Sequence, residues 1–128
     1  MDAGVNKTIL YVEDNAVNLY LVEAIFVGKP NCHLLTATHA AVGLELARTR
    51  HLDLILLDLN LPDMNGAEFL EKLRADPATA AIRVVVISAD AVTEQRGQLQ
   101  KYGIKAFITK PFDLSELEEE VDRQLGKA

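Results

Sequence analysis

Short apolar runs alternate with amphipathic segments along the whole chain. Five runs have the length and the β-branched or apolar composition of strands: residues 8–12, 32–36, 52–58, 82–87 and 104–109. The run at 52–58 is the most continuously apolar, which favours a strand buried on both faces of a parallel sheet. It ends at Asp58, before the turn residues Pro62, Asn65 and Gly66.

The segments between the runs have helical periodicity. Asn15 is a candidate N-cap for a first helix that ends near Gly28, and further helices are predicted at 40–50, 67–75 and from about 113–115 to the C-terminus. Residues 92–102 are weakly patterned and form a helix or a loop that closes at Gly103. Predicted core positions in these helices are Val17, Tyr20, Leu21, Ala24, Ile25, Phe26, Val42, Leu44, Leu46, Ala47, Phe69, Leu70, Leu73, Leu114, Leu117, Val121 and Leu125.

This alternation predicts βαβ units with right-handed crossovers. We therefore expect an α/β fold, a five-stranded, doubly wound parallel sheet with helices on both faces. The length of 128 residues suits a single domain over residues 1–128, with a core from about 7 to 126.

Composition narrows the classes of function. The formal net charge is −6 and the basic residues are scattered, which argues against direct nucleic-acid or membrane-surface binding. Cys32 is the single cysteine, no signal-peptide pattern is present, and no apolar run is long enough to span a bilayer. A cytoplasmic protein is expected.

Polar side chains stand at the carboxyl ends of four predicted strands. Glu13 and Asp14 follow the first strand, Asp58 ends the third, Ser88 follows the fourth and Lys110 follows the fifth. In a parallel sheet these ends share one edge, where open α/β sheets bind ligands. Each residue alone could simply end a strand, cap a helix or lie on the surface; their joint placement favours a site.

The chemistry of this set points to phosphoryl transfer. Three converging carboxylates repel one another unless a cation lies among them, and hard oxygen ligands favour Mg²⁺. The additional lysine and hydroxyl suit an arriving anion. We therefore predict that Asp58 accepts a phosphoryl group while Mg²⁺ and Lys110 offset the charge.

The sequence resembles the receiver domain of two-component response regulators over nearly its whole length. The resemblance rests on the segments at residues 9–15 (ILYVEDN), 53–66 (DLILLDLNLPDMNG), 87–89 (ISA) and 110–112 (KPF). It implies a flavodoxin-like receiver fold with strand order 2-1-3-4-5. It also implies a regulatory phosphoprotein that catalyses its own phosphorylation and dephosphorylation and is not an enzyme acting on an external metabolite.

The resemblance assigns roles to the site residues. Asp58 matches the phosphoacceptor, Glu13 and Asp14 match the acidic pair that binds Mg²⁺, and the main-chain carbonyl of Asn60 completes the metal ligands. Asp14 and Asp58 would be the more direct ligands. Glu13 stands where an aspartate is often found.

Further residues match the switch of the family. Ser88 matches the switch hydroxyl, Lys110 the motif lysine and Phe107 the switch aromatic, although Phe107 lacks the hydroxyl of the tyrosine often found there. A cis Lys110–Pro111 bond is also implied. Phosphorylation would then change the surface formed by the fourth helix, the fifth strand and the fifth helix.

The expected partners are a sensor histidine kinase or histidine phosphotransfer protein, an output domain or effector protein, and a second copy of the phosphorylated chain. Two alternatives remain. One is a small Mg²⁺-dependent phosphohydrolase with Asp58 as nucleophile, which Asn60 disfavours because such enzymes carry a second aspartate there. The other is a binding module that ignores phosphate.

Overall fold

The computed structural model describes residues 6–89 and 97–126. Five parallel strands form one sheet in the order β2-β1-β3-β4-β5, as predicted. The strands are β1 (Lys7–Val12), β2 (Cys32–Ala37), β3 (Leu54–Asp58), β4 (Val84–Ser88) and β5 (Ala106–Thr109). Every residue of β3 and β4 is buried, as expected for central strands covered on both faces.

Helices connect the strands and cover both faces of the sheet. Their bounds are α1 (Ala16–Val27), α2 (Ala40–Thr49), α3 (Gly66–Ala75) and the C-terminal helix (Leu114–Gln124). The side chains of Asn15, Asn65 and Asp113 cap α1, α3 and the C-terminal helix by accepting a main-chain N–H from within the first turn. Polar residues at these loop ends therefore define where the helices begin.

The core has two parts, one on each face of the sheet. Alternate strand residues face α2 and α3 on one side and α1 and the C-terminal helix on the other, because successive side chains of a strand point in opposite directions. Gly43 of α2 lies against Val12 of β1: a Cβ placed there would lie 2.9 Å from a Val12 methyl carbon. This close approach seats α2 beside the carboxyl end of β1.

The predicted apolar helix positions are only partly correct. Phe69, Leu70 and Leu73 of α3 are buried, as are Leu117, Val121 and Leu125 at the C-terminus. Four predicted core side chains are instead exposed: Val17, Tyr20, Val42 and Leu114. Ala24 is exposed as well, while Val22, not among the predicted positions, is fully buried. The helix α1 is apolar around most of its circumference, so periodicity could not show which side faces the sheet.

The segment before β5 lies partly outside the described residues. Of the predicted helix or loop at 92–102, residues 97–99 are helical and continue into a 3₁₀ turn at Gln100–Tyr102. Gly103 then adopts the left-handed conformation (φ 72°) that glycine accepts at little cost, as its predicted position at the end of this segment suggested. Among the described residues no helix has the length and apolar character needed to cross a membrane.

Candidate functional site

The parallel sheet brings the predicted site residues to one edge. Glu13 and Asp14 follow β1, Asp58 and Ser88 are the last residues of β3 and β4, and Lys110 follows β5. The main-chain N–H of Lys110 donates to the Ser88 carbonyl (2.9 Å), which continues the pairing of β5 with β4. The alignment of the strand ends therefore places three acids, a hydroxyl and a lysine together.

Asp58 lies at the bottom of this group and is 4% exposed. One carboxylate oxygen accepts the main-chain N–H of Asn60 (3.2 Å), and the other lies 3.3 Å from the Lys110 ammonium. Burial, together with the nearby Glu13 carboxylate, raises the pKa of Asp58 to about 6. The metal-free site therefore holds this carboxylate in an unfavourable charged state near neutral pH.

Glu13 is 1% exposed and accepts hydrogen bonds on both of its carboxylate oxygens. Its Oε1 accepts from the Lys110 ammonium (2.7 Å), the Tyr11 hydroxyl (2.8 Å) and the Asn18 amide (3.4 Å), and its Oε2 accepts the main-chain N–H of Asn15 (3.2 Å). Burial alone would raise the pKa of Glu13, but the hydrogen bonds, led by that from Lys110, hold it below its usual value. Glu13 is therefore a buried carboxylate that stays charged.

The donor set fits a hard divalent cation. Glu13, Asp14 and Asp58 each offer a carboxylate oxygen, and these oxygens lie within 4.8 Å of one another. Asp14 is exposed to solvent, whereas both oxygens of Glu13 already accept hydrogen bonds. Asp14 is thus better available to a metal than Glu13, while both oxygens of Asp58 also have partners, Asn60 and Lys110. The side chain of Asn60 is exposed at the same edge.

The remaining predicted features of the site are Ser88, Phe107 and the Lys110–Pro111 peptide bond. Ser88 is 2% exposed beside Asp58 in the sheet, since Asp58 pairs with Ile87 of β4. Phe107 is half-buried in β5 and packs against the core on the α2–α3 face. The Lys110–Pro111 peptide bond is cis, as the resemblance implies.

Two polar residues near the site were not singled out from the sequence. Tyr11 is fully buried, and its hydroxyl donates to Glu13. The available signal was the two-residue spacing, which places Tyr11 and Glu13 on the same side of an extended chain.

Asp63, in the loop after β3, accepts the main-chain N–H groups of Ala40 (2.8 Å) and Ala41 (3.0 Å) at the start of α2. These hydrogen bonds, first that from Ala41, hold the pKa of Asp63 below its usual value. The residue before α2, His39, makes no side-chain cap, so Asp63 caps this helix from a distant loop. A sequence pattern limited to neighbouring residues cannot reveal such a cap.

The chain is similar to known proteins over almost its whole length. The family described as response regulator receiver domain matches residues 9–122. The polar-differentiation response regulator DivK of Brucella ovis is 30% identical over 122 residues, which is 95% of this chain and 98% of that protein.

Solved structures of receiver domains are similar to this chain as well. A CheY-like receiver domain protein from Methanospirillum hungatei is 28% identical with a TM-score of 0.84, covering 94% of both chains. The receiver domain of the sensor histidine kinase PA1611 from Pseudomonas aeruginosa is 25% identical with a TM-score of 0.83, covering 95% of this chain and 99% of that one. Its crystal structure has a magnesium ion coordinated in the active-site cleft.

Proposed function

The chain belongs to the response regulator receiver family, and we propose that Asp58 is the residue through which it works as a phosphorylation-controlled switch. The observation that carries this proposal is the position of the Asp58 carboxylate. It is buried at the carboxyl edge of the sheet, 3.3 Å from the Lys110 ammonium and within reach of two further carboxylates. The family match favours neither the phosphohydrolase nor the binding module that ignores phosphate.

The proposed step is a direct transfer. A carboxylate oxygen of Asp58 attacks the phosphorus of a phosphohistidine, the phosphorus–nitrogen bond breaks, and the imidazole leaves with the bonding electron pair. The product is an acyl phosphate on Asp58. The N–H of Asn60 already donates to this carboxylate, and Lys110 lies on its other oxygen, so both groups can hold it in place while it attacks.

We propose that Mg²⁺ is held by Asp14, Asp58 and the main-chain carbonyl of Asn60, with Glu13 nearby. When bound, the cation neutralises the charge of the carboxylates and of the phosphoryl oxygens. This assignment is supported by the short separation of the carboxylates and by the exposure of Asp14.

We propose that Ser88 and Lys110 bind the phosphoryl oxygens, and that Phe107 repacks when Ser88 moves. Lys110 is tied to Ser88 through the main chain, so a shift of either residue moves the ends of both β4 and β5. The surface that would change is formed by residues 97–102, β5 and the C-terminal helix. An output domain, an effector or a second copy of the chain would bind that surface.

For the phosphodonor we propose a sensor histidine kinase or histidine phosphotransfer protein that docks on α1. With such a donor, the switch would work in the cytoplasm. This helix begins at Ala16, two residues after the acidic pair, and its outer face carries Val17 and Tyr20, which are 65% and 70% exposed. Tyr20→Ala should slow transfer from a phosphotransfer protein that phosphorylates the wild type, yet leave phosphorylation by acetyl phosphate unchanged; slowing of both would refute the docking assignment.

The test of the phosphoacceptor is intact mass after incubation with acetyl phosphate and Mg²⁺. The wild type should gain one phosphoryl group, dependent on Mg²⁺ and removed by hydroxylamine, which cleaves acyl phosphates. Asp58→Ala should gain none, whereas Asp76→Ala, outside the acidic cluster, should behave as the wild type. An adduct that persists in Asp58→Ala would refute the assignment.

A further inference from the structure

Tyr11 brings a polar hydroxyl into the buried interior of the sheet. Its ring is fully buried among the apolar residues that face α1 and the C-terminal helix. Its hydroxyl is the polar end of an otherwise apolar environment and donates to Glu13 Oε1 at 2.8 Å. Burial, and next the charge of Glu13, raises the pKa of Tyr11, so the hydroxyl remains a donor.

The oxygen that receives this hydrogen bond is shared with the lysine of the site. Glu13 Oε1 accepts from Tyr11 at 2.8 Å and from Lys110 at 2.7 Å. The same ammonium lies 3.3 Å from Asp58. The Lys110 ammonium therefore contacts two carboxylates, and its position depends on how strongly Glu13 attracts it.

A second donor on Glu13 matters when Lys110 moves. Any shift of the ammonium towards a phosphoryl group on Asp58 takes a donor away from a carboxylate that is 1% exposed. Without Lys110, Oε1 of Glu13 keeps the Tyr11 hydroxyl at 2.8 Å and the more distant Asn18 amide at 3.4 Å. Loss of a donor from a buried charge is costly, so the shift is easier while the shorter of these hydrogen bonds remains. The Tyr11 hydroxyl comes from the rigid interior of the sheet and does not have to move.

We propose that Tyr11 is a positioning residue, whose buried hydroxyl holds the Glu13 carboxylate in place and thereby lets Lys110 move from Glu13 to the phosphoryl group on Asp58. The inference rests on the proposed function, because it gives Tyr11 a part in the same transfer. Tyr11 acts through its hydrogen bond to Glu13.

The first measurement compares rates of phosphorylation by acetyl phosphate at saturating Mg²⁺. Tyr11→Phe removes only the hydroxyl, and because hydrogen bonds to charged groups are strong, it should slow phosphorylation about tenfold. Thr79→Val removes another buried hydroxyl, which donates to the Leu73 carbonyl oxygen (2.6 Å) outside the acidic cluster, and should not alter the rate. Equal rates for Tyr11→Phe and the wild type would overturn the proposal.

A double-mutant cycle separates positioning from a general structural effect. If Tyr11 acts through Glu13, Tyr11→Phe should cost much less in a Glu13→Gln background than in the wild type. The same loss in both backgrounds would mean that the hydroxyl acts elsewhere, which would overturn the proposal even if Tyr11→Phe were less stable.

A spectroscopic measurement needs neither metal nor phosphate. The chain has three tyrosines and no tryptophan, so its near-ultraviolet absorption reports on tyrosine. Glu13→Gln should shift the wild-type tyrosine band to shorter wavelength, because the charged acceptor is lost, and should cause no shift in Tyr11→Phe. A shift that persists in Tyr11→Phe would overturn the proposed contact. If the wild type takes up no phosphoryl group, the proposed function fails, while this shift still decides whether Tyr11 holds Glu13.

Discussion

Neutralising Asp58 should stabilise the metal-free protein. The folded structure buries this carboxylate beside Glu13, and burial is the main cause of its raised pKa. An unfolded chain solvates the same carboxylate freely. Replacement by asparagine keeps the size of the side chain and an oxygen that can accept the N–H of Asn60, but it removes the charge.

The size of the gain follows from the pKa. A rise from 3.8 to about 6 corresponds to about 3 kcal/mol of unfavourable free energy in the folded state at pH 7 and above. We therefore expect Asp58→Asn to raise the free energy of unfolding by about 2–3 kcal/mol in the absence of metal. In urea this would move the unfolding midpoint upward by about 1 M.

The dependence on pH has a definite sign. Because the folded pKa of Asp58 lies above its unfolded value, this group binds more protons in the folded state between about pH 4 and 6, so the destabilisation that it causes is relieved as the pH falls through this range. Asp58→Asn lacks that group, so its advantage should be largest above pH 6 and vanish near pH 4. Mg²⁺ should reduce the advantage at pH 7.5, because it stabilises the wild type by binding.

Urea unfolding in EDTA at pH 7.5 and at pH 4 measures both effects. Asp14→Asn is the matched control: it removes a charge from the same cluster, but that carboxylate is exposed and water screens it, so its gain should be small. An Asp58→Asn variant no more stable than the wild type at pH 7.5, or equally advantaged at both pH values, would refute the reasoning.

Three other substitutions test contacts elsewhere in the fold, each by urea unfolding. Gly43→Ala should lower the free energy of unfolding by about 1–2 kcal/mol, because its Cβ would lie 2.9 Å from a Val12 methyl carbon and this overpacking exceeds the gain in helix propensity; a more stable variant would contradict the close approach. Lys29→Met should cost about 1–2 kcal/mol, because Lys29 is 8% exposed and pairs with the half-buried Asp122 at 2.7 Å. Burial alone would lower the pKa of Lys29, but the Asp122 and Glu118 carboxylates outweigh burial and raise it. The cost of Lys29→Met should therefore be constant between about pH 6, where both carboxylates are charged, and about pH 10.4, and should shrink above that pH. A cost that persists at higher pH would argue against the ion pair. Arg74→Met should cost about 3 kcal/mol, because the guanidinium donates to three main-chain carbonyl oxygens that would lose their partner. Arg74→Lys should restore part of the lost stability. An equal loss in both variants would show that the side-chain volume matters more than the donors.

Local sequence patterns predicted much of the fold. The five strands, their order from the resemblance, and the helices α2 and α3 agree with the prediction to within a few residues at their ends. Strand and helix periods are properties of neighbouring residues, so a single chain shows them directly. The gathering of polar residues at the carboxyl edge was predictable once the strands were, since a parallel sheet brings all its strand ends to one side.

The exposed face of α1 could not be predicted from the same information. The side chains of α1 are apolar around most of its circumference. Only the position of the sheet determines that Val22 and Phe26 are buried while Val17 and Tyr20 face solvent. The packing of α1 against the sheet, and not its helical period, determines which side is buried.

The sequence by itself determined which chemical groups gather at the sheet edge: three carboxylates, a hydroxyl and a lysine. Only the tertiary structure decided their partners. Lys110 contacts Glu13 more closely than Asp58, although 97 residues separate it from Glu13 along the chain. Tyr11 supplies a buried donor to that same glutamate, and Asp63 caps a helix 22 and 23 residues before it. Such contacts depend on distances between packed elements, and the periodicity of a sequence carries no information about them.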